Sequence, residues 1–260
     1  MRLLFWRPPP VAVVELHGVI AGRDGALSLR SAGPLIERAF AATREDGTLV
    51  LDIDSPGGSP VQSELIAALI RRRALAKRVT VHAVIGEAGA SGGYWLACAA
   101  DVIHASAMSI VGSIGVVGGG FGLEQLLARY GVERRLYTAG ENKARLDPFR
   151  PERPEDVAFV QALMASIHER FKAWVRERRG ARLADDPAVF DGSFCLGQRG
   201  VELGLVDGLG SVDELVRSLG GDRARARRFR PRRRLGLARL PRLMVEAAAD
   251  VAEERRLHFR

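Results

Sequence analysis

Apolar, β-branched runs alternate with segments of helical period along most of this chain, and its two turns rich in serine and glycine each follow a run of strand type. Val11 to Leu16 reads as a first strand that ends at His17-Gly18, with Val19 and Ile20 continuing it after a bend. Arg30 to Thr43 carries Leu35, Ile36, Ala39 and Phe40 at helical intervals, with Pro34 near the front, where a helix tolerates it. Thr48 to Ile53 is a buried-strand pattern broken by Ser55-Pro56-Gly57-Gly58. Val61 to Ala76 then predicts an amphipathic helix, Val79 to Ile85 a strand, Gly89 to Gly93 a small-residue turn, and Tyr94 to Ala100 a further helical stretch. Such alternation builds an α/β fold with a mainly parallel sheet covered on both faces, and it sets reactive loops at the carboxyl ends of strands.

Further along, Val102 to His104 and Ile110 to Val117 are short extended pieces, followed by the triple glycine Gly118 to Gly120. Leu123 to Tyr130 predicts a helix and Arg134 to Tyr137 a strand. Pro154 to Arg179 predicts a long helix with Phe159, Leu163, Ile167, Phe171 and Trp174 on its apolar side. A last helix is expected over Val212 to Leu219, with Ser211 at its N-cap.

At 260 residues the chain suits one sizeable core with a tail. The net charge of +8 resides entirely in residues 221–260, since basic and acidic residues balance over 1–220. That division argues against a nucleic-acid-binding core. The organisation expected is an N-terminal arm at 1–10, a catalytic domain at 11–220 and a basic, partly amphipathic tail at 221–260. Cys98 and Cys195 share no metal-binding spacing, so two free thiols are expected and no metal. No stretch reaches the roughly 18 uncharged apolar residues of a membrane span, and the Leu3 to Trp6 patch is too short for an export signal. A cytoplasmic protein, or one peripheral on the cytoplasmic face of a membrane, is the expectation.

Gly89-Ala90-Ser91-Gly92-Gly93 fits the pattern that puts a serine hydroxyl on a tight strand-to-helix turn. A nucleophilic serine needs a base. His104, His168 and His258 follow it, one close by, one inside the long helix and one in the tail, and none is well placed for a hydrolase triad. A lysine serves when burial and neighbours lower its pKa from about 10.4 by roughly 3 units, a change arginine does not undergo. The chain holds only Lys77, Lys143 and Lys172. Lys77 lies beside Arg78 at a helix end and Lys172 on the long helix, whereas Lys143 follows a predicted strand on a loop.

Four ordered stretches carry a resemblance: Ser55-Pro56-Gly57-Gly58, Gly89 to Tyr94, Val111-Gly112-Ser113-Ile114-Gly115-Val116, and Lys143. Together with Phe171 to Gly180 and Gly200 to Gly210 they resemble the signal-peptide peptidase family of Ser–Lys serine peptidases, over roughly residues 11 to 219. The resemblance implies a crotonase/Clp-like α/β core, with Ser91 as the acylated nucleophile and Lys143 as general base. It further implies that Ser113 orients the lysine, that the Gly58 and Gly92 N–H groups form the oxyanion hole, and that copies assemble into a ring or dome. No cofactor is implied, and the substrates would be hydrophobic or unstructured peptides. Many members carry an N-terminal membrane span, which this sequence replaces with the short Leu3 to Trp6 patch.

Two other readings compete. A crotonase-type acyl-CoA enzyme would use Gly58 and Gly92 for a thioester oxyanion, but it leaves Lys143 unexplained. A catalytically silent scaffold is at odds with intact Ser91 and Lys143. Beyond Gly220, the arginines from Arg223 to Arg234 beside Leu235, Leu237, Leu240, Leu243, Met244 and Val245 suit an anionic membrane surface. A solvated tail remains the alternative there, and no nucleic-acid partner is expected because no reader module accompanies the arginines.

Overall fold

Strands of this chain are apolar on both faces because helices cover both. The computed structural model describes residues 10–231. In chain order these form β1 (Val11–His17), α1 (Leu29–Ala42), β2 (Thr48–Ser55), α2 (Pro60–Lys77), β3 (Thr80–Ala90), α3 (Gly92–Ala97), β4 (Val102–Ala105) and β5 (Ile110–Gly112). They continue as α4 (Glu124–Arg129), α5 (Pro154–Arg179), β6 (Phe194–Leu196), α6 (Gly197–Glu202), β7 (Gly208–Leu209), α7 (Val212–Gly220) and β8 (Ala226–Phe229). One sheet runs β6-β5-β3-β2-β1-β8, with β4 branching from β3 and β7 pairing with β4. Every pairing is parallel except β5 with β6. The mainly parallel α/β fold expected from the alternation is therefore present.

Alternate residues of β1 to β3 serve two cores. Ala12, Val14, Leu16, Leu49, Leu51, Ile53, Val81, Ala83 and Ile85 join the large cluster with residues of α1, α2, α3 and α5, while Val13, Val50 and Val84 pack with Leu215 and Val216 of α7. This two-sided burial is why the strands read as continuous apolar runs. Strand β3 is long enough to fork: His82 to Ile85 pair with β4, and Ala88 to Ala90 pair with β5. The fork leaves β3's carboxyl end flanked by β2 and β5, which is where the reactive turns lie. Ser211 caps α7 as expected, in a reciprocal pair with Glu214.

Three expectations differ from the structure. Arg134 to Tyr137 is no strand; nothing pairs with it, and Leu136 and Tyr137 are exposed. Helix α5 has the expected span, but only its second half adds apolar residues to the core: Phe171 and Val175 are buried, while Phe159 and Leu163 are about half exposed. Finally, the basic stretch after Gly220 does not leave the domain at once, because β8 extends the sheet by pairing with β1. Alternation explains how arginines can do this. Phe229 is buried on one side, and Arg228 on the other meets Asp52 at 2.9 Å and Glu15 at 3.5 Å. The 1–9 part of the expected arm and the 232–260 part of the expected tail lie outside the described residues.

Candidate active site

At the end of β3, Ser91 adopts φ 50° and ψ −121° before α3 begins at Gly92. A side chain at such a φ costs on the order of 1–3 kcal/mol and persists only where its surroundings fix it. Here they do so from three directions. The Ser91 N–H donates to the Gly112 carbonyl at the end of β5, 2.8 Å away. The turn after β2 lies directly against the serine: a Cβ on Gly57 would come within 2.7 Å of the Gly92 nitrogen and 2.8 Å of the Ser91 Cβ. One on Gly93 would collide with the Ser55 carbonyl, and one on Gly58 with the Ile20 carbonyl. The two glycine turns thus interlock backbone to backbone, and no larger residue fits at these contacts.

Helix α3 is also fixed at its far end. All six of its residues are buried. Trp174 Nε1 donates to the Trp95 carbonyl at 3.1 Å; Arg178 donates to the Cys98 and Ala100 carbonyls at 2.9 and 3.1 Å; Arg71 donates to the Ala99 carbonyl at 3.2 Å. Cationic donors at the carbonyl end satisfy groups a short helix leaves open and oppose its dipole. The Tyr94 hydroxyl donates to the Leu205 carbonyl at 2.8 Å, and burial pushes its pKa well up. Cys98 is free and buried, with its thiol pushed up to about 12 by burial, which leaves it inert at neutral pH. Cys195 is free as well.

Of the residues singled out in the sequence, Ser91, Gly92, Gly58 and Ser113 fall in one neighbourhood. The N–H groups of Gly58 and Gly92 have no hydrogen-bond partner among the described residues. A Cβ placed on Gly92 would be 3.3 Å from the Gly58 nitrogen, so these two free donors lie close together beside the Ser91 turn. Ser113 follows Gly112 with φ 52°, its N–H bonded to the Ser193 carbonyl at 2.7 Å, and its hydroxyl has no partner.

Lys143 is not brought to them by a hydrogen bond. It is exposed in a turn, where its backbone N–H donates to the Gly140 carbonyl at 3.2 Å and its amine makes no hydrogen bond or ion pair among the described residues. Two positions on, Arg145 lies 3.2 Å from the Asp156 carboxylate and stacks 4.4 Å over the Phe159 ring, which ties this turn to the front of α5. Asp156 is 3% exposed and also takes two hydrogen bonds from Arg153, which hold its carboxyl below the usual range. Since α3 hangs from Trp174, the two attachment points lie about 27 Å apart along the helix axis. Sequence reading missed Asp156, Arg145 and Arg178, placed Trp174 only on the apolar side of the long helix, and set His168 aside as a helix residue. The only signal was the spacing of Asp156, Trp174 and Arg178 along α5, and Arg145, which precedes that helix, gave none.

A family model described as Peptidase family S49 matches residues 73–224, which take in Ser91, Gly92, Ser113 and Lys143 but not Gly58. The chain is 32% identical over 204 residues to a Synechocystis protein named putative protease slr0021, covering 78% of this chain and 71% of that one. It is 28% identical over 209 residues to the putative protease SohB of Buchnera aphidicola, covering 80% and 58%. It is also 42% identical over 243 residues to a Brucella abortus protein named Na(+)/H(+) antiporter NhaA, covering 92% of this chain but 33% of that protein. The chain thus spans about a third of the antiporter-named relative, and no helix among the described residues is long and apolar enough to cross a membrane.

Proposed function

Since the chain belongs to peptidase family S49, we propose that it is a serine peptidase that cleaves hydrophobic or unstructured peptides through an acyl-enzyme on Ser91, with Lys143 as general base. The neutral Lys143 amine takes the hydroxyl proton as Ser91 Oγ attacks the scissile carbonyl carbon. The resulting oxyanion is held by the Gly58 and Gly92 N–H groups. Collapse expels the amine, which leaves with the proton from Lys143. Water then loses a proton to Lys143 as it attacks the ester and frees Ser91. The Ser113 hydroxyl orients the amine. The observation that carries this reading is the pair of unpartnered amides, fixed against a strained serine by interlocked glycine backbones.

A base lysine must be held away from water in its neutral form, and Lys143 is exposed in a single chain. The same segment exposes Val117, Phe121, Tyr130 and Tyr137 at 96, 84, 72 and 89%. Both facts support a homo-oligomer, a ring or dome, in which a second copy covers this segment and the dyad is completed between copies. Mixing provides the test. Ser91→Ala and Lys143→Ala should each abolish cleavage of an unstructured apolar peptide, and the two inactive proteins mixed should regain part of it. Full activity in either variant alone would remove the dyad. Silence in the wild type together with saturable CoA binding would move the assignment to acyl-CoA chemistry.

Peripheral attachment to anionic membrane on the cytoplasmic face is the role proposed for the basic residues beyond β8. Pelleting with phosphatidylserine vesicles tests it, comparing the full chain with one ended at Pro231, which retains the strand.

A further inference from the structure

We propose that His168 is a positioning residue for this reaction: its imidazole holds the Gly112–Gly115 turn, and through it Ser113 and the Ser91 backbone, in working geometry. The proposal rests on the reading of Ser91 and Ser113 given above.

His168 is half-buried on α5, with Nε2 2.9 Å from the Ile114 carbonyl oxygen. A carbonyl only accepts, so Nε2 carries the hydrogen, both in the neutral tautomer this contact selects and in the imidazolium. The turn it reaches is strained, with Gly112 at φ 99° and Ser113 at φ 52°. A non-glycine residue at that φ is held there only by its contacts. The backbone supplies two, from the Ser113 N–H to Ser193 at 2.7 Å and from the Gly115 N–H back to Ser113 at 2.9 Å, and the Ile114 side chain is fully buried. His168 adds the side-chain donor.

What makes this tether functional is where it leads. The Gly112 carbonyl, two residues before Ile114, accepts the N–H of Ser91 itself. A drift of the turn would therefore move the Ser113 hydroxyl and loosen the nucleophile's backbone together. The helix that carries His168 also carries Trp174 and Arg178, which hold the carbonyl end of α3. One rigid helix thus grips the nucleophile helix and the Ser113 turn at separate points along its length and fixes them relative to each other.

Two donorless variants, His168→Leu and His168→Phe, are compared with His168→Gln, whose carboxamide N–H retains a donor, and with Ser91→Ala as blank. Two quantities are read: steady-state cleavage of an unstructured apolar peptide, and amide hydrogen exchange over residues 111–116 by mass spectrometry. The donorless variants should lose roughly tenfold to a hundredfold in kcat at unchanged KM, as expected for a misplaced reacting group. Their amides over 111–116 should exchange faster. Gln should restore both quantities. Wild-type kcat and exchange without the donor, or a Gln variant as impaired as Leu, would overturn the proposal, as would a rise in KM at constant kcat. If Ser91→Ala cleaves like the wild type, the assignment of the site fails instead, and exchange alone decides the tether: faster in the donorless variants supports it, unchanged overturns it. Where a donorless variant does not fold, the Gln variant still decides, because a loss of kcat in it contradicts the assignment.

Discussion

The part of the molecule that holds Ser91 and the part that holds Lys143 are built in opposite ways. Around Ser91, glycine backbones touch, a strained serine is bonded to the next strand, and four side-chain donors fix the helix behind it. Around Lys143, residues 117–153 hold one short helix and are largely exposed, and Arg145 ties the turn to α5 through Asp156 and Phe159. The first region is complete within one chain, with Ser91 and the unpartnered Gly58 and Gly92 amides already set. The second presents a charge and several exposed apolar side chains. On the proposed reading, such a division would let one chain fold without being an active peptidase and would make proteolysis conditional on assembly.

The sharpest way to break this comparison is to put the same small change in both regions. Gly58→Ala places a Cβ against the Ile20 carbonyl at a φ of 138°. Because one oxyanion donor is displaced, kcat/KM should fall by about 10²–10³, with a lower melting temperature as well. Gly119→Ala meets nothing within 4 Å, and it should change stability by no more than about 0.5 kcal/mol. Peptide cleavage and thermal melts of the two variants check this, and equal losses would show that the two regions are packed alike.

A milder change tests whether the Lys143 region is positioned by α5 without supporting the core. Asp156→Asn keeps the shape but removes the charge that Arg145 and Arg153 meet. We expect kcat to fall about tenfold, while the melting temperature shifts by less than about 4 °C. A large drop in melting temperature with intact kcat would reverse the argument, making Asp156 a folding residue.

The fold was legible in the sequence wherever one element made its own pattern. Strands buried on both faces announced themselves as apolar runs, and the glycine turns marked the strand ends where Ser91 and Gly58 meet. Arg134 to Tyr137 misled because four residues, two of them arginine, carry too little pattern to separate a short strand from an exposed connection, which is what Leu136 and Tyr137 form. Phe159 and Leu163 misled for another reason: periodicity reports an apolar side but not what covers it. Strand β8 was hidden because Phe229 is its one buried residue and Arg228, exposed, is held by Asp52 and Glu15 far earlier in the chain. His168 and Asp156 were out of reach for that reason too. Their partners, Ile114 and Arg145, lie at sequence distances that no local spacing encodes.

The smallest expected effect concerns acid stability, and it belongs to the sheet that carries Ser91. His82 on β3 and His104 on β4 stack with ring centroids 5.7 Å apart, and His82 Nδ1 and His104 Nε2 are buried without hydrogen-bond partners. Burial lowers both pKa values below 6.5; His104 lowers that of His82 further, while Asp101 and Asp207 pull the other way. Between the lowered native values and 6.5 the unfolded chain binds protons that the native pair does not. Stability is therefore lost as pH falls through 6.5, and the loss ends once pH drops below the native values. His17 runs in the opposite sense. Its hydrogen bond to Asp52 raises its pKa, so its contribution is full below 6.5 and fades as pH rises through the raised value. Urea melts at about pH 7.5 and about pH 5.5 separate the two. His82→Leu should flatten the acid loss, and His17→Gln should deepen it. The opposite pattern would mean that the buried pair accepts protons freely, which would make this part of the sheet as open to water as the Lys143 segment.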